Sequence, residues 1–102
     1  MFTELENAFE AIAEAMKHAA GDCSASTASA EAERHGLLEQ GDGKPSQLHV
    51  WERSEGGKTL RFQWRWYDQS KAFSIQPDMN ILSLELREAD GLLRSTEKRY
   101  ED

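Results

Sequence analysis

Residues 47–67 read QLHVWERSEGGKTLRFQWRWY, and the reading of this stretch decides the fold. In its second half the even positions are Leu60, Phe62, Trp64 and Trp66, and the odd ones are Arg61, Gln63, Arg65 and Tyr67. Successive side chains of a strand point to opposite faces, so this alternation predicts a strand with one apolar and one polar face. A β-rich run over 48–53 precedes it, and the paired glycines Gly56-Gly57 between the two runs predict an antiparallel hairpin. A three-residue loop, Glu55 to Gly57 with one glycine left-handed, sets Val50 opposite Phe62 and Leu48 opposite Trp64. That register joins the apolar faces and is the one expected. A two-residue Gly56-Gly57 turn instead sets Trp51 opposite Phe62 and His49 opposite Trp64, because a one-residue slip exchanges the faces.

C-terminal to the hairpin, Asp68–Lys71 reads as a turn that returns Phe73 and Ile75 as a further strand, which Pro77 ends because it lacks a ladder donor. Ile81–Arg87 reads as the next strand, with Leu82, Leu84 and Leu86 on its core face. Asp90-Gly91 marks another turn. Residues 92–100 suit either a last strand or a helical face carrying Leu92, Leu93, Thr96 and Tyr100, and strand is the preferred reading.

N-terminal to the hairpin the period changes. Over residues 3–20, Leu5, Phe9, Ile12, Met16 and Ala19 recur at helical offsets, with a Thr3–Glu6 capping box at the start and Gly21 as the stop. Residues 22–30, DCSASTASA, have no large apolar anchor and are expected to be a loop. A weaker second helix is expected from Ser29 to Gln40, anchored by Leu37 and Leu38. Gly41–Pro45 breaks the chain before the sheet. The expectation is a single α+β domain over 1–102, helical over 1–43 and sheet over 46–102. One or two N-terminal helices pack on a four- or five-stranded antiparallel meander, since each one-sided layer needs the other as cover.

Composition narrows function by exclusion. With 102 residues, 38% hydrophobic and 30% charged, the chain suits one folded domain. The longest apolar runs are far too short to span a membrane, and the early glutamates do not suit a secretory signal. Cys23 is the one cysteine, as a reducing compartment permits, and a cytoplasmic location is expected. The net charge of −7 is uneven: residues 1–43 carry nine acids against two bases, and residues 44–71 six bases against three acids. Overall acidity argues against general nucleic-acid binding while leaving a local basic face.

No catalytic constellation emerges. His18, His35 and His49 have no metal-ligand spacing, so neither a metal nor a cofactor is expected. His18, Asp22 and Cys23 adjoin a helix end and a loop, a poor place to hold a nucleophile rigid. No nucleophile elbow, phosphate-binding loop or dinucleotide fingerprint is present. Glu85 with Glu88, and Glu4 with Glu6, read as solubilising surface rather than as an acid and base pair.

The candidate site is the row Arg61, Gln63, Arg65 and Tyr67, to which the expected register adds Trp51 and Arg53. Guanidinium groups beside aromatic rings engage carboxylates, phosphates or bases, although cross-strand pairs within a sheet produce the same row with no ligand. The reading of function is a small acidic protein-binding module of inhibitor, immunity or adaptor type, bacterial or phage, acting by occupying a protein partner. Its contact would be this row or the acidic helices. Two alternatives stand beside it: a small-molecule binder or weak enzyme with an aromatic pocket in a curved sheet, and a single-stranded nucleic-acid binder using the Arg/Trp row. A homodimer through an exposed edge strand is a further option.

Overall fold

The computed structural model of the protein describes residues 4–18, 24–40, 48–67 and 79–101. Two helices, α1 (Glu4–His18) and α2 (Ala25–Arg34), precede five strands: β1 (Leu38–Gln40), β2 (Leu48–Glu55), β3 (Lys58–Tyr67), β4 (Met79–Glu88) and β5 (Gly91–Glu101). The strands form one antiparallel sheet in the order β1-β2-β3-β4-β5, a meander in which every neighbour in space is a neighbour in sequence. The expected α+β architecture is observed, and residues 92–100 lie within a strand. The Thr3 cap, the Gly21 stop, Cys23, the Asp68–Lys71 turn and the Phe73–Ile75 strand lie outside the described residues.

Helix α1 buries Leu5, Ala8, Phe9, Ile12 and Met16, the stripe that its periodicity defines. Helix α2 departs from expectation. It starts at Ala25, inside the segment read as a loop, and ends at Arg34. Ser24 supplies the start: its backbone is extended and its hydroxyl oxygen accepts the Thr27 N–H at 3.2 Å. The buried face is made of methyl groups, Ala28 and Ala32, so large anchors do not reveal it. At the other end Gly36 takes a left-handed φ of +78°. The Leu37 and Gly36 N–H groups then donate to the Ala32 and Glu33 carbonyls at 3.0 and 3.1 Å, which closes the helix. Leu37 is buried beyond this stop, whereas Leu38 opens β1 on the opposite face, 72% exposed.

The central hairpin takes the other of its two registers. Gly56 and Gly57 are both left-handed, at φ +59° and +79°, and form a two-residue turn between Glu55 and Lys58. That turn matches the right-handed twist of the flanking strands. Trp51 therefore lies opposite Phe62, His49 opposite Trp64 and Arg53 opposite Leu60. Energetics favour this outcome as well. Burying an indole removes about 150–250 Å² from water, roughly 4–6 kcal/mol, against about 1.5–3 kcal/mol for an aliphatic side chain such as Val50. Trp51 Nε1 is buried without a hydrogen-bond partner, a cost of about 1–3 kcal/mol that the larger burial offsets.

Both helices pack on one face of the sheet. Trp51, Leu60, Phe62, Leu82, Leu84 and Leu86 meet the α1 stripe, the two α2 alanines and Leu37 in one buried cluster. Among the described residues no helix is long and apolar enough to cross a membrane.

Candidate functional site

Among the described residues no element covers the face of the sheet away from the helices, and strand alternation decides what it presents. From β3 come Arg61, Gln63 and Arg65. The observed register sets Glu52, Val50 and Leu48 of β2 beside these three, and β4 contributes Glu85, Ser83 and Ile81 on the other side. On β5, Ser95, Glu97 and Arg99 continue the rows, while the one-residue bulge at Leu86/Arg87 leaves Arg87 opposite Leu92.

Two rows of arginines cross this face. The row through Arg61 is spent internally: its Nε donates to Glu52 Oε2 at 2.9 Å, Glu85 lies opposite, and Glu85 accepts from Arg87 Nε at 2.9 Å. A shallow depression of about 330 Å³ beside Arg61, Arg87, Glu52 and Glu88 therefore balances its charges. The row through Arg65 runs Leu48, Arg65, Ile81, Arg99 across β2 to β5. Arg65 and Arg99 are exposed, Leu48 is 40% exposed, and Ile81 is half-buried between the two arginines, while Arg99 Nε donates to Glu97 Oε1 of its own strand at 2.9 Å. Apolar and cationic side chains thus alternate across a rigid surface.

The six residues singled out from sequence divide between the two faces. Arg61, Gln63 and Arg65 share the open face, and the side chain of Tyr67 lies outside the described ones. Trp51 and Arg53 do not, because the two-glycine turn shifts β2 by one residue and carries both to the helix side. Trp51 is 1% exposed, its ring 5.8 Å from Phe62 and stacked on His49 at 5.9 Å. Arg53 fastens elements together: Nη1 donates to the His35 carbonyl at 3.0 Å, and Nη2 meets Glu4 and Glu55 at 2.8 Å each. It lines a groove of about 540 Å³ together with Asn7, Arg34 and His35. The groove's other guanidinium, Arg34, meets Glu31 at 2.8 Å. With Trp51 buried, the open face lacks the stacking ring on which the single-stranded nucleic-acid alternative drew.

No known protein family, curated protein or solved structure matches this chain.

Sequence reading missed two features of the surface. Leu48, Ile81 and Arg99 join the open face, a grouping that depends on registers across three strand pairs and not on any one strand. On the helix side, His49 Nδ1 lies 3.0 Å from Glu39 Oε1, and its ring also meets Trp64 at 5.6 Å. The two-residue turn would have flagged this cluster, since it sets His49 opposite Trp64. Among the described residues no group of three or more metal-ligating side chains converges.

The acidic helix, the other surface considered, is engaged within the molecule. Glu4 binds Arg53 of β2, Glu6 lies 3.6 Å from Lys58 of β3, and Glu10 binds Arg94 of β5. Glu14 contacts His18 and Lys17 in its own helix. Arg94 also lies 4.4 Å over the Phe9 ring. These carboxylates tie α1 across the sheet.

Proposed function

We propose that the protein is a small binding module of inhibitor, immunity or adaptor type, bacterial or phage, that acts in the cytoplasm by occupying a partner protein. The contact is the open sheet face, centred on the Leu48-Arg65-Ile81-Arg99 row. One observation carries the reading: across β2 to β5 this row alternates partly exposed apolar side chains with two exposed arginines, Arg99 being held to Glu97 of its own strand at 2.9 Å. Arginine and apolar anchors on a preorganised surface are the usual source of binding energy between proteins. The matching partner presents carboxylates around an apolar patch, because a guanidinium pairs with a carboxylate through two parallel N–H donors.

The test is capture from the native host with three proteins side by side. The unaltered chain and Glu14→Lys are expected to retain one stoichiometric partner, and Arg65→Glu combined with Leu48→Ser to lose it while keeping the melting temperature. Retention by the open-face variant, or loss with Glu14→Lys alone, would overturn the assignment of the surface.

A further inference from the structure

Strand β5 has β4 on one side and, among the described residues, no strand on the other. Its outer edge is therefore a row of backbone N–H and C=O groups available for pairing. The opposite edge, β1, is only Leu38–Gln40, whereas β5 runs from Gly91 to Glu101. Edge strands are commonly blunted by charge, and β5 carries charges of both signs: Arg94, Glu97, Lys98, Arg99 and Glu101. Opposite signs directly across an antiparallel pair attract and like signs repel, so such a sequence selects some self-pairings and rejects others.

We propose that β5 pairs with β5 of a second copy, antiparallel, about a two-fold axis at Lys98. The choice of centre follows from the residues. Every such axis sets its central residue against itself, but a centre at Glu97 brings no opposite charges together, a centre at Arg99 also sets Glu97 against Glu101, and a centre at Thr96 sets Arg94 against Lys98. A centre at Tyr100 matches Arg99 with Glu101 but overlaps only the strand's last residues. The centre at Lys98 sets Glu97 against the partner's Arg99 and, by symmetry, Arg99 against the partner's Glu97, over a paired stretch from Ser95 to Glu101. Since Arg99 Nε already donates to Glu97 Oε1 at 2.9 Å within each strand, the pairing joins two ion pairs into one cluster of four charges. The bulge near Leu92 and Leu93 interrupts the strand before Ser95 and so bounds the pairing. The two Lys98 side chains face the helix side, where each Nζ turns to the Lys17 carbonyl at the end of its own α1, 3.4 Å away. That contact draws the two ammonium groups apart and toward the negative ends of their helices.

The product is one continuous antiparallel sheet twice the width of the monomer's, with an isologous interface. An axis normal to the sheet keeps both open faces on the same side. The two Arg65 rows then lie on a single surface, although the pairing does not depend on the partner reading above.

Light scattering on the purified chain tests the assembly and cysteine cross-linking tests the register. The unaltered protein should show a two-chain mass at roughly 100 μM. Glu97→Arg and Arg99→Glu, both at exposed positions, should each weaken dimerisation at least about tenfold, and the double exchange should restore it within about threefold. In a Cys23→Ser background, Lys98→Cys should form a symmetric disulfide on mild oxidation and Thr96→Cys should not. Directly opposed residues are about 4.5–5.5 Å apart at Cα, within disulfide reach, and a position two residues off centre is well outside it. A one-chain mass for the unaltered protein overturns the proposal. So does a dimer that is indifferent to both charge reversals, which would place the contact elsewhere, or cross-linking at Thr96→Cys instead of Lys98→Cys. Circular dichroism of each variant confirms that the chain is folded when its mass is read.

Discussion

Gly57 turns the chain between β2 and β3 at φ +79°, and a Cβ built there meets no atom within 4 Å. Replacing it with alanine therefore adds no clash and tests backbone conformation alone. Gly57→Ala is expected to lower unfolding stability by about 1–2 kcal/mol in urea titration, and Gly57→Asn by less, since asparagine tolerates the left-handed region. Gly36 has a comparable φ, but a Cβ there sits 3.3 Å from Arg53 Nη1. Gly36→Ala should cost more than Gly57→Ala, because it also crowds the guanidinium that holds the His35 carbonyl. An equal or smaller loss would mean that Arg53 yields at no cost. Arg53 itself shows how a side chain read as a ligand contact can be structural: its planar fork joins α1, the end of α2 and β2 at once.

At the scale of the element, α2 depends on Ser24 more than on its own packing, which amounts to two buried alanines. Ser24→Ala should cost about 1 kcal/mol and lower the helical signal in far-ultraviolet circular dichroism, whereas Ser26→Ala, at an exposed interior position, should be close to neutral. The same helix shows where sequence reading succeeds and where it stops. Helix α1 and strands β3 and β4 were legible because large apolar residues repeat at a period that only one backbone geometry can bury, as Phe9, Ile12 and Met16 do in α1 and Leu82, Leu84 and Leu86 in β4. Helix α2 was not, because Ala28 and Ala32 carry no such signal and a serine serves equally as a cap or in a loop. The hairpin was half legible. Alternation assigned residues to faces within β2 and within β3, but the choice of which faces match was set by Gly56 and Gly57 together and by the larger burial of Trp51. Of the candidate site, Arg61, Gln63 and Arg65 therefore stayed together, and Trp51 and Arg53 left it.

Across the whole molecule, the helix side and the open side of the sheet have different energetic roles. The helix side holds the core and the three ion pairs from Glu4, Glu6 and Glu10 to β2, β3 and β5. Each pair is at least partly exposed and contributes at most about 1 kcal/mol. The connectivity of the meander bears on how quickly this arrangement is reached. Each strand pairs with its neighbour in sequence, and tight turns join β2 to β3 and β4 to β5, whereas α1 docks on the sheet from the far end of the chain. Local closure costs less entropy than distant closure and governs the folding rate. The β2–β3 hairpin should accordingly be formed at the folding barrier and the α1 contacts completed after it. Gly57→Ala should act mainly by slowing refolding in stopped-flow measurements, and Ile12→Val, a loss of about 1 kcal/mol, mainly by speeding unfolding. The reverse pattern would place helix docking before the barrier. With α1 docking late, the apolar face of the sheet is bare at the barrier, so exposure to aggregation follows the frequency with which the chain crosses it, more than the final stability alone.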